Sequence, residues 1–327
     1  MKKNKIIKIT CIAIISLCII VLGIVIFKKD TLESKPNKNS SGNEKVTPLL
    51  YEVTKEGSDN KIYLFGSIHV ANTSKMEFPD YLINAYNNSH YIACEFNSIE
   101  YQNNQENTLN DVMKLMYQDG TTIKDHLDSK TYEKLVNFLK SKKNYSELYD
   151  VYKPFFFESL LSLQLAKDAK INTNDGIDEY FLKKATSDKK NILEVESPSF
   201  QIDLSISFDD RLYEIMFNET IDDYDKEVQN LKDLYSAWSE GDEEKLVKLI
   251  DDGLEEKDKY SKEEIKMIED YNKKMLDDRN KGMTEKAIEY FNSKKDVFYM
   301  VGAAHIIGEN GIAKSLEQKG YTIKRVN

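Results

Sequence analysis

Histidine, cysteine and arginine are all scarce in this chain of 327 residues, which holds four, three and three of them respectively. Two cysteines, Cys11 and Cys18, fall in an apolar run, so Cys94 stands alone in everything downstream. A lone thiol excludes an intrachain disulfide scaffold and a paired-cysteine metal knuckle. Arg211, Arg279 and Arg325 are too few for a cluster of guanidinium forks clamping phosphate. Basic side chains are also in deficit, 46 against 56 acidic, for a net charge of −10. Nucleic acid is therefore not an expected partner, because a general binder needs a basic face to replace counterions. What remains is a chain 40% hydrophobic with 20 Tyr and 14 Phe, too apolar for disorder and long enough for a sizeable core.

Residues 6–27 read IIKITCIAIISLCIIVLGIVIF, broken only by Lys8. At ~1.5 Å per residue they span roughly 33 Å, enough to cross a bilayer core. Lys2, Lys3, Lys5 and Lys8 lead the run, which puts the N-terminus in the cytoplasm and the remainder outside. A cleaved signal peptide is the rival reading, but no small-residue cleavage site precedes Lys28. The expected organisation is a cytoplasmic tip and transmembrane anchor (1–29), a flexible polar tether (30–46) and one domain (47–327) with a helical lobe at 208–278. That places a single-pass protein in the cell membrane with its C-terminal domain extracytoplasmic. Residues 1–30 carry six lysines and one aspartate, so the part beyond them has a formal charge of −15.

The domain mixes strand and helix patterns. Pro48–Val53 and Lys61–Phe65 predict a hairpin around Gly57–Asn60, and Tyr91–Phe96, Asn191–Glu196, Asp296–Val301 and Tyr321–Val326 predict further strands. Helices are predicted from Pro79, through Thr108–Lys190, over the acidic stretch Phe208–Arg279 with the sole tryptophan Trp238, and after His305 to Gln318. The fold class is α/β, with α+β the alternative: a central mixed sheet flanked by helices.

Two strands end alike, in Gly66-Ser-Ile-His69 and Gly302-Ala-Ala-His305. Alternation puts Tyr63, Phe65, Ser67 and His69 on one face, and Tyr299, Val301, Ala303 and His305 on the corresponding face of the other. Ligands of open α/β sheets bind beyond the carboxyl ends of strands, where both histidines and Glu95 fall. His69, His305 and Glu95 thus form a two-imidazole, one-carboxylate set suited to a borderline divalent ion with positions left for water and substrate. Such an ion favours hydrolysis, since it acidifies water and polarises a carbonyl. The bland alternative for each histidine is a hydrogen-bonded strand end. His90 and His126 read as surface or helix-boundary residues, and Cys94 as core beside Ile92 and Phe96. Composition alone makes Arg279-Asn280 a surface ion pair; the functional alternative is an arginine bracing a carboxylate or oxyanion.

In order along the chain, Leu64-Phe-Gly-Ser-Ile-His69, Cys94-Glu95, Gly176-Ile-Asp178-Glu-Tyr-Phe181, Leu193-Glu-Val-Glu196, Arg279-Asn280 and Val301-Gly-Ala-Ala-His305-x-x-Gly308 resemble the TraB/GumN family, which includes TIKI-type metalloproteases. The resemblance covers roughly Leu49 to Val326. It implies an α/β fold similar to the erythromycin-esterase and ChaN-like superfamily. It also implies His69, His305 and Glu95 at the site, Arg279 and Asn280 as supporting polar groups, and Asp178 as a further family position of structural kind. TIKI-like members cleave short N-terminal segments of secreted proteins with an ion such as manganese or cobalt, and TraB-like members are implicated in shutting down peptide pheromones. None of the motifs that carry the resemblance falls in the acidic stretch Phe208–Met275, which is expected to govern substrate access.

The expectation is a membrane-anchored extracytoplasmic hydrolase dependent on a divalent metal (manganese, cobalt or zinc), most simply a peptidase acting on peptides or protein N-termini. In it His69 and His305 bind the ion, Glu95 is third ligand or general base, and Arg279 stabilises the oxyanion or orients Glu95, with Asn280 in support. The alternative is a non-catalytic protein that sequesters a peptide, haem or metal.

Overall fold

The computed structural model of the chain describes residues 44–172, 176–251, 259–293 and 295–327. The anchor and all but the end of the tether expected from the sequence lie outside the described residues. Among the described residues, no helix is long and apolar enough to cross a membrane.

Eight strands are described: β1 (Glu44–Lys45), β2 (Leu50–Thr54), β3 (Ile62–Ser67), β4 (Met76–Glu77), β5 (Tyr91–Cys94), β6 (Asn191–Glu194), β7 (Val297–Gly302) and β8 (Thr322–Arg325). Six build one sheet in the order β6-β5-β7-β3-β2-β8, while β1 and β4 pair apart from it. Strands β6, β5, β7 and β3 run parallel. The predicted hairpin is present as β2–β3, and β2 pairs antiparallel with β8 as well, so the sheet is mixed and the class is α/β. β7 is nearly unbroken apolar sequence because both of its faces are covered.

Phe65, Phe298 and Phe181 pack ring to ring on one face, with centroids 5.2–5.4 Å apart, beneath the Ile177–Ser187 helix. The opposite face meets the Arg279–Asn292 helix, where Tyr299 Oη donates to the Met283 carbonyl at 2.7 Å. The register explains this division and corrects one expectation. Gly66 aligns with Val301 and Ser67 with Gly302, one residue away from motif-to-motif alignment. Phe65 therefore shares its face with Phe298 and Met300, while Tyr299 and Val301 turn the other way. Equivalent motif positions face opposite sides of the sheet.

The helices of 208–278, expected as a lobe within the one domain, share its cores. The first of them, Asp210–Asp222, shares a second core with Phe155, Phe156, Leu160 and Leu135 from the crossover before β6. Trp238, in the Tyr224–Ser239 helix, is fully buried in the main core, and its indole N–H donates to the Gly66 carbonyl at 2.8 Å. The Lys262–Asn272 helix continues through a π-helical turn, Lys273–Asp278, straight into Arg279–Asn292, so no boundary falls at 278. Gly241, at φ +63°, turns the chain from Tyr224–Ser239 into Glu243–Asp251. A Cβ there would stand 2.1 Å from the Thr47 carbonyl oxygen.

Candidate functional site

The four parallel strands deliver their carboxyl ends to one edge of the sheet, and each contributes to the site. β5 and β6 stop two residues earlier than predicted, which leaves Glu95 and Glu196 just past the strand ends. The Glu196 N–H still donates to the Glu95 carbonyl at 2.8 Å, holding the two segments side by side. After β3 the chain runs irregularly to His69. After β7 it coils at once into the helical turn Ala303–Ile306, which carries His305. Strand alternation therefore places neither imidazole, contrary to expectation.

Glu95 is buried and held from three sides. Its Oε1 accepts the Gly302 N–H at 3.0 Å, and its Oε2 accepts Arg279 Nη2 at 2.9 Å and Gln201 Nε2 at 3.0 Å. Burial alone would raise its pKa, but Arg279 first, then His305, His69 and the Gly302 N–H, hold it well below the usual carboxylate range. Arg279 also donates from Nε to Glu196 Oε1 at 2.9 Å and from Nη2 to Glu196 Oε2 at 2.8 Å. Gln201 reaches Glu196 as well, at 2.8 Å. With its side chain only 4% exposed, Arg279 is no surface ion pair, which corrects the reading from composition.

The imidazoles are oriented from behind. His305 Nδ1 lies 2.7 Å from Asn280 Oδ1. The Asn280 amide N–H₂ donates to the Asn310 carbonyl at 2.9 Å, which fixes its oxygen toward the ring. Nδ1 must then carry the proton, and Nε2 is left bare. Desolvation, then the Arg279 charge, pushes the His305 pKa down to about 3, so the ring stays neutral. His69 Nδ1 lies 2.9 Å from Asp178 Oδ2, and Asp178 Oδ1 accepts the Ser67 hydroxyl at 2.7 Å. Burial pulls the His69 pKa down, but Asp178 and then Glu95 outweigh it, and the net shift is upward. Asp178 sits in the first turn of the Ile177–Ser187 helix, whose N-cap Gly176 packs so closely that a Cβ would stand 2.4 Å from the His69 carbonyl oxygen.

His69, Glu95, Gly302 and His305 line one cleft of about 740 Å³. Arg279 and Asn280 are not among its lining residues; Arg279 braces Glu95 and Asn280 orients His305. Glu196 appeared in the sequence only as part of a motif. Gln201 carried no signal, because its role comes from a contact across 106 residues of chain. His90 is a surface residue beside Asp296. His126 lies between Asp210 and Thr121 and stacks on Tyr117. Cys94 is core, its thiol pushed well up by burial.

The donor chemistry fits a divalent ion. Imidazoles engaged through Nδ1 by an acceptor and presenting Nε2 are the form in which histidine binds metals. His69 Nε2 and Glu95 Oε1 are 3.9 Å apart, within the ~4.2 Å that two donors at ordinary zinc-ligand distances can span. Convergence is not preformed: among the described residues, no three His, Cys, Asp or Glu side chains close on one point.

A mixed α/β sheet whose parallel edge presents two backed imidazoles and a braced carboxylate in a cleft defines the class of protein. The chain belongs to the TraB/PrgY/gumN family, whose model matches residues 49–325. It is similar to a protein named Metalloprotease TIKI homolog from Nematostella vectensis, at 22% identity over 311 residues, covering 81% of this chain. The chain spans 64% of that relative's length. No solved structure matches.

Proposed function

We propose that this protein is a metal-dependent hydrolase of peptides, held at a membrane by residues 6–27 with its domain outside the cytoplasm. One observation carries the reading: two imidazoles, each with an acceptor beside Nδ1, and an ionised carboxylate line a single cleft at the parallel edge of the sheet. Family membership and the likeness to a metalloprotease homologue support hydrolysis as the reaction class.

His69, His305 and Glu95 Oε1 would hold the ion, and manganese, cobalt or zinc all suit imidazole and carboxylate donors. When bound, such an ion acidifies water and polarises a carbonyl. Asn280 keeps the His305 proton on Nδ1, and Asp178 holds the His69 ring in place. Arg279 and Gln201 fix the Glu95 carboxylate at Oε2, so that Oε1 is the oxygen turned to the cleft. The Gly302 N–H donates to that same oxygen and helps to hold it in place.

The test is hydrolysis of a peptide library by purified protein with each metal in turn. Activity should vanish on chelation and in His69→Ala, while the circular dichroism of that variant stays native. Full activity in His69→Ala would sink the reading. A second reading, sequestration of a peptide, haem or metal without turnover, is favoured by the hydrogen bonds that both Glu95 oxygens already accept. Tight binding with no cleavage product under any metal would establish it.

A further inference from the structure

The cleft has two unlike walls. On the sheet side stand the reacting groups, and on the other stand Leu231, Leu234, Tyr235, Leu246, Ile250 and Leu276. The spacings 231/234/235 and 246/250 put each set on one face of its helix, and the π-helical turn brings Leu276 alongside them. None of the six is charged, and the Tyr235 hydroxyl is turned to Glu44, which does not line the cleft. A charged side chain seated against these six would lose its water and meet no partner among them, whereas an apolar one would gain by burial. Beyond Ile250, Leu276 and Ala304 the surface continues into a second cavity of about 540 Å³ whose lining includes Asp277, Asn280, Glu309 and Asn310. The groove is thus apolar opposite the imidazoles and polar further along. That sequence suits a peptide, with one buried side chain and a solvated continuation, better than a wholly apolar ligand.

We propose that this wall is the specificity pocket, and that the protein selects peptides with an aliphatic or aromatic residue beside the bond presented to His69, Glu95 and His305. Cleavage beside that residue rests on the peptide-hydrolase reading, whereas selection of the side chain by the wall does not. Such selection gives the helices that carry Leu231, Leu234, Tyr235, Leu246 and Ile250 a task, which is to choose the substrate.

Fluorogenic peptides identical except at one position, carrying Leu, Phe, Asp or Lys there, test it on the full-length protein in detergent. Cleavage is measured with manganese or cobalt, and binding to the metal-free protein is measured separately by fluorescence anisotropy. Leu and Phe should exceed Asp and Lys by about tenfold or more in both measurements. Ile250→Lys and Leu276→Lys, at half-buried positions, should reverse the order in favour of the Asp peptide. Should either lysine variant fail to fold, Leu276→Ala should shift the preference from Leu toward Phe. Selective binding that Ile250→Lys reverses, with no cleavage under any metal, keeps the pocket and removes the hydrolase. Cleavage indifferent to the varied residue does the opposite. Absence of both binding and cleavage for every peptide overturns the inference, as does a preference that the variants leave unchanged.

Discussion

Arg279 stands between two carboxylates, Glu95 and Glu196, that would repel each other in its absence, and Gln201 bridges the same pair. Removing one member of a buried ion pair leaves the rest desolvated and uncompensated. Arg279→Leu should therefore cost about 3–5 kcal/mol in urea denaturation, and Arg279→Lys should lose most activity because one ammonium cannot fork to both partners. A near-neutral Arg279→Leu would mean that the carboxylates are solvated after all. His305 makes a pH prediction whose sign is fixed. Its folded pKa of about 3 lies below the ordinary 6.5, so in that window the unfolded chain binds more protons and stability falls as pH drops. At about pH 5 the loss should be near 2 kcal/mol, taking ~1.4 kcal/mol per unit. His69 shifts upward, so its contribution is complete below 6.5 and is lost only as pH rises through its folded value. Glu95 adds to the acid loss only below its ordinary 4.5. Denaturation of metal-free His305→Gln should show a flatter limb between about pH 6.5 and 5, and an unchanged slope would assign it elsewhere. His69 and His305 were legible because a scarce residue type stands out after a strand, and Glu95 because it falls at the end of a third. Arg279 was legible as a rarity, but its burial was not, since a polar helix surrounded by Lys and Asp looks solvated in one dimension.

At the scale of elements, apolar runs bounded by turn residues gave every strand of the main sheet to within about two residues, most plainly β3, β5 and β7, which are parallel and covered on both faces. Register was not legible. It depends on which side chains interdigitate between β3 and β7, and a shift of one residue there reverses faces without altering either sequence. The same gap hid the role of the helices after Phe208. Their hydrophobic periodicity announces a buried face but not what that face covers. Trp238 joins these helices to the site edge: its indole N–H satisfies the Gly66 carbonyl three residues before His69, with the ring fully buried. Trp238→Phe keeps most of the ring volume but orphans that carbonyl, at about 1–3 kcal/mol. Because the Trp238 helix also carries Leu231, Leu234 and Tyr235, the variant should additionally loosen apolar peptide binding. Thermal denaturation together with anisotropy checks both parts, and lost stability with unchanged affinity would separate the indole from the pocket wall.

At the scale of the molecule, the described residues close on themselves. Two main cores lie beneath and beside one sheet, and none of the described helices is long and apolar enough to cross a bilayer. In the proposed arrangement, attachment to a membrane rests on the apolar run of residues 6–27. The net charge makes the same division. The part beyond residue 30 carries −15 and is repelled by an anionic lipid face, so little besides the apolar run would keep it there. The expected outcome of deleting residues 1–43 follows from this separation. The truncated chain keeps β1, which pairs with β4, and the Thr47 N–H that donates to the Ser239 carbonyl at 2.7 Å. It should leave the membrane fraction and unfold at the same temperature as the full chain in detergent. It should also process a soluble peptide with unchanged kcat/KM, since among the described residues none that lines the cleft lies before Ser67. The full chain should resist salt extraction and yield to detergent alone, because a bilayer-spanning helix is held by apolar burial rather than by charge. Release by salt would mean that residues 6–27 do not span, and a fall in the truncated chain's unfolding temperature would mean that the N-terminal segment also packs on the domain.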